Sequence, residues 1–200
     1  MRFHGRELRS YQRHFCHHSR ASDTSGSLSK AGALRPMKEA MDLLSDLPDR
    51  DTFAALLARE ELRRSRTQES LAVAVLDLDG IHAINARHGA PAGTELLRRC
   101  AEAASSTIRA VDQLARTGPD DFSVLLHAAD SRSAEIWAER FEAALETHSR
   151  DHPAAPVTCS VGFADSDEAP TLLEVAARAR KRMEVVQTVR KLRRARGGGI

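Results

Sequence analysis

Between Ser70 and Leu78 the chain reads SLAVAVLDL, a run that is apolar at nearly every position until it stops at the acidic pair Asp77 and Asp79. A strand with one wet face alternates apolar and polar residues, so a short run without alternation predicts a strand buried on both faces. Both of its faces need cover. The two carboxylates then stand at the strand's exit, where they suit either a bound metal ion or the cap of a following helical turn.

The flanking segments supply the cover. Thr52 to Arg66 places Phe53, Leu56, Leu57 and Leu62 near helical spacing, and Pro91 to Ala110 carries Leu96, Leu97, Cys100, Ala104 and Ile108 along one stripe. Gln113 to Leu126 reads as two short strands around a turn at Gly118-Pro119-Asp120. Arg132 to His148 predicts another helix, Val157 to Phe163 a strand, and Thr171 to Arg196 a long helix. The order helix, strand, helix, hairpin, helix, strand, helix predicts an α+β fold, a mixed sheet with helices packed on it.

Charge is uneven along the chain. Residues 1–36 hold seven Lys/Arg against two acids, residues 178–197 nine against one, and the stretch between fourteen against twenty-five. An acidic body therefore carries two basic ends, able to meet nucleic acid, acidic lipid or the body itself, or simply to stay solvated. Ser19 to Arg35 is rich in Ser, Gly and Ala and has almost nothing to bury, so residues 1–36 are expected to be a disordered basic arm and linker. A domain is expected over 37–190 and a basic tail over 191–200. The histidines and Cys16 of the arm fit no closed metal site, and Cys16, Cys100 and Cys159 make no disulfide framework. With no membrane-length apolar run and no apolar signal core at the start, the expected location is cytoplasmic, without a membrane partner. A short arm leaves no room for an attached sensor, so regulation is expected from a ligand or partner.

Five landmarks in order resemble the GGDEF family, the diguanylate cyclases that join two GTP into cyclic di-GMP. Asp42-Leu-Leu-Ser-Asp-Leu-Pro-Asp-Arg50 looks like the family's opening D-x-L-T-G-L-x-N-R, and Asp77-Leu-Asp-Gly-Ile-His-Ala-Ile-Asn85 like its D-x-D-x-F-K-x-x-N. Gly118-Pro-Asp-Asp-Phe122 sits at the signature's place, Ala138-Glu-Arg140 follows at the family's distance, and Ser160-Val-Gly-Phe-Ala164 resembles its S-V-G-x-A strand. The resemblance implies a palm-like mixed sheet of about five strands flanked by helices. It also implies Mg2+ held by Asp77 and Asp120, catalytic carboxylates at Asp120 and Asp121, and nucleotide contacts from Asn85 and Gly118. An inhibitory cyclic di-GMP site of the R-x-x-D type falls on Arg109, Asp112 and the more distant Arg140, a residue set that suits guanine edges and phosphate.

Departures from the family pattern weaken the chemistry. Pro119 replaces the second signature glycine, fixing φ and removing an N–H where the family's substrate lies against the turn. Asp121 is one methylene shorter than the family's Glu, and misplacement near 1 Å costs about a hundredfold in rate. Thr94 stands where a guanine-reading Asp belongs, His82 replaces a Lys, and the phosphate-binding Lys and Arg of the last helix align with Glu184 and Thr188, an alignment that shifts easily by a turn. The expectation is a catalytically impaired GGDEF domain that binds cyclic di-GMP, with GTP weak or absent, and passes a signal to a protein partner. Two alternatives stand beside it: a weakly active cyclase, which needs two domains face to face in a homodimer, and a ligand-free protein-interaction module.

Overall fold

The computed structural model describes residues 43–153 and 155–196. The arm and linker expected over 1–36, Asp42 of the opening motif and residues 197–200 lie outside them. The described chain runs α1 (Arg50–Thr67), β1 (Leu71–Leu78), α2 (Ile81–His88), α3 (Ala90–Thr107), β2 (Gln113–Arg116), β3 (Asp121–His127), α4 (Ser131–Asp151), β4 (Cys159–Asp165) and α5 (Leu172–Ala195).

The α+β class holds, with two corrections to the sheet. Among the described residues it has four strands, in the order β2-β3-β1-β4, and every neighbouring pair is antiparallel. The element order predicts a mixed sheet, and the resemblance about five strands. Here two β-α-β units interdigitate, so β3 separates the parallel partners β1 and β2. α5 reaches Ala195, in keeping with the long helix expected over Thr171 to Arg196.

The apolar run of β1 sorts onto two cores. Ala72, Ala74, Leu76 and Leu78 face α3 and α4, packing with Leu96, Leu97, Cys100, Trp137 and Phe141, whose rings stack at 5.6 Å. Leu71, Val73 and Val75 face α1 and α5, packing with Phe53, Leu57, Leu172, Val175, Ala179 and Met183. Period-two alternation therefore points Asp77 at α5. Cys100 and Cys159 are buried free thiols.

The S-V-G motif on β4 sets how closely α5 lies on the sheet. A Cβ at Gly162 would stand 2.2 Å from the Met183 backbone nitrogen and 2.3 Å from the Ala179 carbonyl oxygen, so only glycine admits this approach. α2, absent from the sequence-based expectation, is eight residues between Gly80 and Gly89, whose φ values of 80° and 84° break the chain on either side.

Candidate functional site

β1 and β3 end together, and their register sets Asp77 opposite Asp121. Like charges directly opposite across an antiparallel pair repel. Asp120 joins them from the turn, and the three carboxylates present oxygens that all lie within 4.8 Å of one another. Burial first, then the charge of Asp120 and the nearness of Asp121, push the Asp77 carboxyl up to about 7. Neither Asp77 nor Asp79 caps α2, whose N-cap is Gly80 with no side-chain bond. Asp79 instead lies in an ion pair with Arg190 at 3.0 Å and accepts from the Ser160 hydroxyl.

Three clustered oxygen ligands, mutually repelling and partly buried, fit a hard divalent cation such as Mg2+. Asp77 and Asp120 would hold it, with Asp121 alongside. Bound there, such an ion would offset the negative charge of an anionic ligand.

The signature turn is tight. The Thr117 and Gly118 N–H groups both donate to the Asp121 carbonyl, at 3.0 and 3.2 Å, and Pro119 has no N–H. Gly118 and Pro119 thus offer no unengaged backbone donor to a phosphate. Asp121 itself accepts from Arg180 Nη1 at 2.9 Å, and His82, almost fully exposed, reaches within 3.7 Å of Asp120.

At the expected guanine position, Asn85 folds onto α3. Its Oδ1 would lie 2.0 Å from a Cβ at Gly93, and that oxygen is buried without a hydrogen-bond partner. Thr94 Oγ1 donates back to Ala90 O within its own helix. Asn85 and Thr94 therefore share the α2–α3 junction, with one orphaned acceptor between the helices.

The R-x-x-D residues divide. Arg109 and Arg140 are exposed, and Arg140 donates to Thr107 O beside Arg109 at 3.2 Å. Asp112 is buried, and its carboxylate accepts the backbone N–H groups of Arg109 at 2.8 Å and His127 at 2.9 Å. It staples the loop to β3. The two arginines share a surface; the aspartate side chain faces inward.

Sequence reasoning missed the face that α5 turns toward the acids. Glu184 and Thr188, the aligned phosphate positions, are exposed. Facing the sheet's end are Arg180, Gln187, Arg190 and Arg194, which bond Asp121, Asp77, Asp79 and Thr158 respectively. Their spacings of seven, three and four residues form one helical stripe, and that spacing was the signal available.

An interdigitated antiparallel sheet that ends in clustered carboxylates beside a tight hairpin defines a palm-like domain with an acidic end. The family model described as diguanylate cyclase, GGDEF domain, matches residues 39–191, and the chain belongs to that family. The diguanylate cyclase DgcS of Shewanella oneidensis is 32% identical over 132 residues, 66% of this chain and 44% of the relative. DgcP of Pseudomonas aeruginosa is 34% identical over 129 residues, 63% of this chain and 19% of the relative. The chain thus spans less than half the length of these curated relatives. Among solved structures, the GGDEF domain of PA1120 (TpbB or YfiN) from P. aeruginosa is similar at 28% identity, with a TM-score of 0.65 over 73% of this chain and 87% of that one. The GGDEF domain of DgcB from Caulobacter crescentus, solved in complex with c-di-GMP, shares the fold at 18% identity, with a TM-score of 0.66 over 81% of this chain and 94% of that one. Among the described residues no helix is long and apolar enough to cross a membrane.

Proposed function

We propose that this chain works in cyclic di-GMP signalling as a GGDEF domain with impaired cyclase chemistry, a ligand-binding or regulatory module of the cytoplasm. The observation that carries the reading is the signature turn: the Gly118 N–H is engaged by the Asp121 carbonyl, Pro119 lacks an N–H, and the Asp121 carboxylate is paired with Arg180. Arg109 and Arg140, exposed around one loop that Asp112 stiffens, are the residues we assign to the dinucleotide, through its phosphates and guanine edges. The domain is taken to span 37–190 between a basic arm and a basic tail, with a protein partner receiving the signal.

The second reading, a slow cyclase working as a homodimer with Mg2+ on Asp77 and Asp120, is favoured by one specific observation, the surviving three-carboxylate cluster. Calorimetry and turnover separate the two. The regulatory reading expects heat on titration with cyclic di-GMP, lost in Arg109→Ala, and little Mg2+-dependent conversion of GTP. It also expects Pro119→Gly with Asp121→Glu to raise that conversion, by about a hundredfold if acid placement dominates. Robust cyclisation by the unaltered chain, abolished by Asp77→Ala, would replace it with the enzyme reading.

A further inference from the structure

Three carboxylates gathered within 4.8 Å repel one another when no cation is bound, and this chain answers that repulsion from within. The Gln187 side-chain amide donates to Asp77 Oδ1, and Arg180 Nη1 donates to Asp121 Oδ2 at 2.9 Å. Both come from one face of α5, seven residues or about two turns apart. A cation bound through Asp77 Oδ1 would compete with the Gln187 amide for that oxygen. The Arg180 guanidinium adds a fixed positive charge that opposes the arrival of another.

We propose that Gln187 and Arg180 are built-in competitors for the divalent cation, engaging Asp77 and the adjoining Asp121 in the free protein and yielding them only when a cation displaces both side chains. The inference rests on the reading of Asp77, Asp120 and Asp121 as a cation site. α5 is anchored against β4 where Gly162 meets Ala179 and Met183, so its path near Arg180 is fixed by backbone packing. Gln187 lies one turn beyond that anchor, is only partly buried, and is held in turn by Lys191, whose Nζ donates to its Oε1 at 2.9 Å. Its release requires a side-chain rotation rather than a helix displacement. Glu184 and Thr188, on the exposed side, take no part in this competition.

The test titrates the full chain with Mn2+ alone, reading free metal by electron paramagnetic resonance and thermal stability with and without metal. Gln187→Ala is expected to tighten Mn2+ binding about fivefold, the worth of one lost intramolecular hydrogen bond. Its metal-free melting temperature should fall while the rise on adding Mn2+ grows. Arg180→Ala is expected to act in the same direction. Val185→Ala, exposed on the same helix, should bind as the unaltered chain does. Gln187→Asn, one methylene too short to reach Asp77, repeats the measurement if the alanine variant folds poorly. Unchanged or weaker binding in the Gln187 variants, with normal binding by the unaltered chain, overturns the competition and leaves the cation site standing. No Mn2+ bound by the unaltered chain or by any variant overturns both.

Discussion

The two ends of the β1–β3 pair treat acidic residues in opposite ways. At the His127 end, Asp112 accepts two backbone N–H groups, and Glu60 accepts from Arg63, Arg59 and His127, which hold its carboxyl below the usual range although burial acts against them. At the other end, Asp77 faces Asp121 across the ladder with Asp120 beside them, and its carboxyl is pushed up to about 7. The same residue types serve as fasteners at one end and stand in conflict at the other. At the first end donors outnumber the acids; at the second, the single donors that Gln187 and Arg180 bring to Asp77 and Asp121 are set against three carboxylates within 4.8 Å of one another.

The largest effect is expected from lifting the helix that supplies the second end's donors. Gly162→Ala drives a methyl into the α5 backbone and should cost about 3 kcal/mol in urea unfolding. At the fastened end, Asp112→Ala leaves the Arg109 and His127 N–H groups without their acceptor and should cost about 2 kcal/mol. A loss there close to zero would break the comparison.

Asp77→Asn sharpens it, with the opposite sign. A carboxyl with its folded pKa raised from 3.8 to about 7 binds its proton more tightly in the folded state. Stability from this group is therefore greatest at low pH and declines as pH rises between those values. The variant should melt higher than the unaltered chain at pH 8, equal it near pH 4, and flatten the slope between, as followed by thermal melts across pH. Smallest of all, Val185→Ala on the exposed side of α5 should shift stability by no more than about 0.5 kcal/mol.

Much of the fold was legible because its signals are local. The unbroken apolar run of β1, the Gly118-Pro119-Asp120 turn and the stripes of α3 and α5 each follow from a period or a turn residue. α2 escaped notice because eight residues between two glycines carry too short a period to read. Asp77, Asp120 and Asp121 were legible as candidates, and the register of β1 on β3 places them together. For Asp112 the family resemblance implies a place in the R-x-x-D site beside Arg109. Its carboxylate direction depends on His127, fifteen residues away, which spacing does not report.

The sequence by itself determined the elements apart from α2, the acids at the strand's exit, and a signature turn stripped of a donor by Pro119. Tertiary structure alone decided that all strand neighbours run antiparallel, that Asp77 and Asp121 oppose each other, and that Arg180, Gln187 and Arg190 of α5 reach Asp121, Asp77 and Asp79. The physical reason is range. Periodicity and turn chemistry act over a few residues, whereas strand order and the meeting of Gln187 with Asp77, 110 residues apart, are set by which apolar faces cover one another.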